Sequence, residues 1–190
     1  IDGIEIPNIN HFATQGASGG PVSILNSDLI REISFYTGSF PANRGGALSS
    51  VMDITLKDGN PDKQAFKAVI GASEVGVSAS GHIGKNTTYI ASVRQSYLQL
   101  LFRLLGLPML PNYIDGQFKS RTRIDSRNEI AFIALAGFDN MNLSDDPGDK
   151  GDEYLLSYLP VLKQETFTVG ATYKHFSDRH IQTYSLSYNY

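Results

Sequence analysis

The stretch that decides the fold is "AFKAVIGASEVGVSASGHIGKNTTYIASVRQSY", residues 65–97. Its apolar residues recur at every second position, then pause at Gly/Ser or Gly-Lys-Asn, then resume. Phe66, Ala68, Ile70 and Ala72 share one face. Val75, Val77, Ala79 and Ile83 oppose Gly76, Ser78, Ser80 and His82. Tyr89, Ala91 and Val93 oppose Thr88, Ser92, Arg94 and Ser96, with Ile90 out of pattern. A period of two is that of a β-strand with two different faces, and the polar pauses are hairpin turns.

The pattern continues downstream. "YIDGQFKSRTRID" sets Ile114, Phe118 and Ile124 against Asp115, Gln117, Lys119, Arg121 and Arg123. "ETFTVGATYKHF" and "QTYSLSYNY" alternate in the same way, and only "NEIAFIALAGF" is apolar on both faces. That makes seven strand candidates of about nine to thirteen residues, the length that a bilayer-crossing strand requires. "GKNT", "DSRN" and "SDRH" are tight polar turns, whereas residues 98–112 and 140–163 form long connections. Short turns at one end and long loops at the other fit an outer-membrane barrel. A soluble β-sandwich produces the same period, so period alone leaves both open. Polar faces rich in Ser, Thr and Gly, aromatics near strand ends and long strands without Pro favour the barrel.

Residues 1–62 differ. "IDGIEIPNINHF" reads as a short strand ending at Pro7 and Asn8, and "GASGGPVSIL" as a Gly/Ser loop. Asn26 or Ser27 caps a short helical turn with Asp28 inside it. A strand through Ile33 and Phe35 breaks at Gly38. Residues 51–56 form another strand, stopped by Lys57-Asp58-Gly59.

Composition narrows the function. Charged residues are 18% of 190 and the net charge is −3, so no basic footprint for nucleic acid exists. There is no Cys, which removes disulfides and thiolate chemistry. No apolar run reaches the roughly 18 residues of a spanning helix. "YLQLLFRLLGLPML" is interrupted by Arg103, Gly106 and Pro108 and reads as a short helix within a loop. Ile1 reads as the middle of something, so the chain is expected to be an internal fragment. No catalytic set emerges. His11, His82, His175 and His180 lack ligand spacing, no G-x-S-x-G elbow is present, and "GGALSS" lacks the lysine of a P-loop.

"ISFYTGSFPANRGGALSSVMDITLKDGN", residues 33–60, resembles the closing segment of the plug in TonB-dependent outer-membrane receptors. In that family a strand, a Gly turn and a loop precede a strand of the kind "GGVINIITK". "IDGIEIPNINHF" is similar to the earlier "DGV.I" plug strand. "GKNTTYIASVRQSYLQLL" resembles the first hairpins of Bacteroidetes-type members carrying "RRSYLD", with Gln95 for the second Arg and Gln99 for the Asp.

The resemblance implies a mainly β chain: the C-terminal part of an α+β plug over 1–60, then about seven antiparallel strands of a large transmembrane β-barrel over 61–190. The family barrel has about twenty-two strands, so this wall is incomplete. It implies import of a scarce solute (siderophore, glycan, peptide or vitamin class) across the bacterial outer membrane, by plug displacement. The implied partners are an inner-membrane TonB-type energy-coupling protein, the extracellular solute, outer-membrane lipid and, as a further candidate, a surface lipoprotein. No cofactor is implied.

Arg44, beside Gly45 and Gly46, is the first candidate contact, either a plug–wall latch to acidic wall residues or a ligand contact. Arg94, Lys119, Arg121 and Arg123 should face the lumen. There they bind the plug, line a solute path or simply solvate the interior. Asp145, Asp146, Asp149 and Asp152 form an oxygen-rich loop. Their spacing departs from a calcium loop, and a solvated surface is the favoured reading.

Overall fold

A computed structural model describes residues 1–13, 19–41, 50–143 and 161–190. The chain is mainly β and its sheets are antiparallel.

The seven downstream candidates form one sheet. These are β5 (Ala65–Ile70), β6 (Glu74–Ile83), β7 (Thr87–Ser96), β8 (Met109–Arg123), β9 (Asn128–Leu143), β10 (Leu162–Phe176) and β11 (Ile181–Asn189). They pair in chain order as a meander, and β5 and β11 remain its two edges. One short helix, α1 (Leu98–Leu104), lies between β7 and β8. No helix among the described residues is long and apolar enough to cross a membrane, which says nothing of strands.

Upstream, β1 (Asn10–His11) pairs with β2 (Val22–Ser23), and β3 (Ile30–Tyr36) with β4 (Val51–Leu56). A 3-10 turn, Ser27–Leu29, is capped by the Asn26 side chain, which accepts from the Asp28 N–H at 3.0 Å. The expected strand ending at Pro7 and Asn8 does not form, and β1 begins just beyond it at Asn10. Asp2 and Gly3 both take positive φ, 48° and 85°, and the Ile4 N–H closes a turn onto Ile1 O.

Two further boundaries move. β8 begins at Met109 and includes Pro111, and β9 runs on to Leu143. The ladder continues through Asn112↔Asn140 and Met109↔Leu143. Cross-strand pairing therefore outlasts the apolar alternation, and residues 109–112 and 140–143 belong to strands rather than to the long connections.

The sheet's two faces are used in an unusual sense. The polar face carries Ser92, Arg94, Asp115, Gln117, Lys119, Glu129, Asp139, Thr168 and Thr172. It is covered by the N-terminal segment, and most of these residues are buried. The apolar face is bare: Phe66, Val77 and Leu186 are 79%, 60% and 79% exposed. The apolar exceptions on the polar face mark where the segment presses hardest. Ile90 and Leu135 join Ile24, Leu25, Leu29, Ile54 and Leu56 in one core. That explains both the misplaced Ile90 and the doubly apolar "NEIAFIALAGF". Gly137 and Gly170 complete the fit, because a Cβ there would collide with Ile24 and Ile4 respectively.

Candidate functional site

The seam between the polar face and the N-terminal segment gathers the ionisable groups. Its first centre is His11 on β1, fully buried. Nδ1 lies 2.5 Å from Asp139 Oδ1, and Nε2 lies 3.0 Å from Asp115 Oδ2. The ring stacks on Tyr113 at a centroid distance of 4.1 Å. Burial pushes the imidazole towards neutrality, but its hydrogen bonds to Asp115 and Asp139 and their charges outweigh that. The His11 pKa is held above the ordinary value. Arg94 grips Asp115 with both Nε (3.0 Å) and Nη2 (2.9 Å), and its Nη2 also donates to Ser23 O at 2.7 Å. Glu74 accepts from Arg94 Nη1 at 3.3 Å and from the Tyr113 hydroxyl at 2.6 Å.

A second centre sits nearer the short turns. Lys119 Nζ donates to Leu56 O at 3.0 Å and lies 3.0 Å from Asp58 Oδ1 and 3.2 Å from Asp2 Oδ2. Arg121 bridges Asp58 (2.7 Å) and Glu129 (2.6 Å). Burial raises the Asp58 pKa, but Lys119 and Arg121 outweigh it and hold the carboxyl below its ordinary range. Between the two centres, Asn26 donates from Nδ2 to Ser92 Oγ at 2.8 Å, and its backbone N–H donates to Gln117 Oε1 at 3.1 Å.

Beside the second centre lies a polar cavity of about 720 Å³, lined by Asp53, Thr55, Arg121, Lys174, Thr183 and Ser185 among others. No group of three or more His, Cys, Asp or Glu among the described residues is placed to hold a metal.

Of the expected site residues, Arg94, Lys119 and Arg121 all lie on the polar face and contact the N-terminal segment directly. Arg123, at the end of β8, is exposed and forms no ion pair among the described residues. Arg44, Gly45 and Gly46 lie outside the described residues, as do Asp145, Asp146, Asp149 and Asp152. His11 was missed by sequence reasoning because its two carboxylates stand 104 and 128 residues away. The available signal was Asp115, already on the polar face of an alternating strand.

Comparisons with protein-family models, with curated proteins and with solved structures yield no match to this chain.

Proposed function

We propose that the chain is part of a TonB-dependent-type outer-membrane transporter. In this reading β5–β11 are a section of a larger barrel wall and residues 1–60 are the closing part of its plug. The observation that carries the proposal is the bare apolar face and its limits. On β9 the outward residues Ile130, Phe132, Ala134, Ala136 and Phe138 are bracketed by Asn128 and Asn140. On β10 the outward run Phe167, Val169, Ala171 and Tyr173 is bracketed by Glu165 and His175. The polar residues join across strands: Gln95 Nε2 donates to Asn112 Oδ1 at 2.7 Å on the loop side. On the turn side, the Tyr173 hydroxyl donates to Asn128 Oδ1 at 2.6 Å.

From Ile130 to Phe138 the strand rises about 26 Å, or about 20 Å along the membrane normal at a tilt of about 40°. That approaches the apolar band of about 25 Å on outer-membrane barrels. A water-facing sheet has the opposite arrangement, with its apolar face covered and its polar face wet. The two unpaired edges, β5 and β11, support neighbouring strands on both sides, since an open edge is not tolerated in lipid. On this reading the polar cavity is space between plug and wall for a hydrated solute, and no catalytic role is assigned. An energy-coupling partner pulling on the plug follows from the same reading.

The test uses the absence of Cys. Single cysteines at Phe132, Ala134 and Leu135 are spin-labelled in the chain folded into lipid. Labels at 132 and 134 should be accessible to oxygen and shielded from a water-soluble nickel chelate, and the label at 135 shielded from both. Chelate access at 132 and 134 would overturn the proposal and favour a soluble β-sandwich binding or adhesion module.

A further inference from the structure

We propose that His11 is a proton-operated catch, holding β1 and Phe12 on the wall while its ring is charged and loosening them when the ring loses a proton. The inference deepens the transporter reading, in that the segment held is the plug.

The geometry requires a charged ring. Both ring nitrogens face carboxylate oxygens, 2.5 Å away at Asp139 and 3.0 Å at Asp115. A carboxylate only accepts, and only the imidazolium donates from both nitrogens. A neutral ring turns one lone pair onto an oxygen lone pair at a site buried from solvent. The neighbours decide which nitrogen is left bare. Asp115 already has both oxygens on Arg94. Among the described residues Asp139 has only the ring and the Phe12 N–H, which donates to its Oδ2 at 2.8 Å. The remaining proton stays on Nδ1, and Nε2 faces Asp115 as a repulsive contact.

Every other element packed around the ring reinforces this. β8 supplies Asp115 and Tyr113, β9 supplies Asp139, β7 supplies Arg94, and β6 supplies Glu74, which binds Arg94 and Tyr113. With the ring charged, it and Arg94 offset Asp115, Asp139 and Glu74. With the ring neutral, Arg94 is the one cation among the described residues that faces all three. Phe12 is the part set to move. It sits at φ 53°, a left-handed conformation that a bulky residue leaves readily once its hydrogen bond weakens. The folded pKa lies above the ordinary value. The catch is therefore fully closed below about pH 6.5 and opens as pH rises through the folded pKa.

The experiment follows hydrogen exchange at the Phe12 amide of the full chain from about pH 5.5 to about pH 9.5, spanning histidine ionisation. Rates are corrected for base catalysis, and the His11 ring is titrated in parallel by NMR. The ring should stay charged above its ordinary pKa. Phe12 protection should fall across the same interval by about tenfold per unit of pKa elevation, while the Leu135 amide does not change. In His11→Gln, Phe12 protection should be flat with pH. If that variant does not fold, Asp139→Asn keeps the ring, removes one carboxylate and should move the transition to lower pH. A ring titrating at or below its ordinary value, an equal fall in His11→Gln, or an unmoved transition in Asp139→Asn would each overturn the catch. The lipid-label test bears on the transporter reading alone: a water-facing Phe132 with a proton-dependent Phe12 would sink the transporter and leave the catch.

Discussion

Lys119→Met is the sharpest test of what holds the N-terminal segment to the sheet. Methionine retains most of the lysine stem, so little cavity forms, but the charge goes. The Lys119 side chain is only 7% exposed and its Nζ serves Leu56 O, Asp58 and Asp2 at 3.0, 3.0 and 3.2 Å. Removing one partner of a fully buried pair costs about 3–5 kcal/mol. Here the figure is discounted, because Asp58 keeps Arg121 at 2.7 Å and its side chain is 25% exposed. The expected loss is about 2–3 kcal/mol, which combines one charge-assisted hydrogen bond with partly unpaired carboxylates.

The loss should be read locally. The Lys57 N–H donates to Leu29 O at 2.8 Å, within the segment that Lys119 anchors. Native-state hydrogen exchange at Lys57 should accelerate about 30- to 150-fold. A double-mutant cycle with Asp58→Asn should give a coupling of at least about 1 kcal/mol. A change below about 0.5 kcal/mol, the size of an ordinary surface substitution, would refute the reasoning. Lys119 would then only solvate the inner face.

Three further outcomes are expected. Gly170→Val should expel Ile4 from its buried site against the wall, costing about 1–3 kcal/mol as overpacking; a urea midpoint unchanged from wild type would show the contact to be slack. The Asp58 carboxyl is held below its ordinary pKa of 3.8, so its stabilisation is present at neutral pH and lost as pH falls through the depressed folded value. Asp58→Asn should flatten that part of an acid-unfolding profile, and an unaltered profile would contradict the assignment. Ala134→Arg, at the middle of the outward run on β9, should cost about 2–4 kcal/mol if the run crosses lipid. The readout is the yield of protease-resistant chain in lipid vesicles, and a yield equal to wild type counts against a membrane-facing surface.

The strands were legible wherever one face was consistently apolar, as in β5–β7, β10 and β11. They became illegible where pairing continues without alternation, at Asn140 to Leu143 on β9 and Met109 to Asn112 on β8. Residues 1–9 misled for a different reason: alternating Ile residues there pack one at a time, through a turn at Asp2 and Gly3, rather than along a ladder. The cationic positions Arg94, Lys119 and Arg121 could be assigned to the polar face from period alone. Their partners could not, because Lys119 reaches Leu56 and Arg121 reaches Asp58, each 63 residues away. The two centres run in opposite senses. At the second the wall supplies the cations Lys119 and Arg121, and the segment supplies Asp58, Asp2 and a backbone carbonyl. At the first the segment supplies His11, and the wall supplies Asp115 and Asp139.

That division of charge bears on how a plug could leave. An apolar seam resists separation in proportion to its area, at about 25 cal/mol per Å², and leaves two greasy surfaces facing each other. The seam here has only a limited apolar core, contributed on the wall side by Ile90 and Leu135. The rest is directed contacts of 2.5–3.2 Å, whose attraction fades within about an ångström of movement. Once they separate, Asp58, Lys119 and Arg121 recover hydration, which returns much of the desolvation cost of pairing. The surface left behind is Ser92, Gln117, Thr168 and Thr172 with their charged neighbours, and water wets it. On the transporter reading, such a seam is stable at rest, yields when pulled and leaves a hydrophilic passage. A seam built from the outward face's residues would do none of the three.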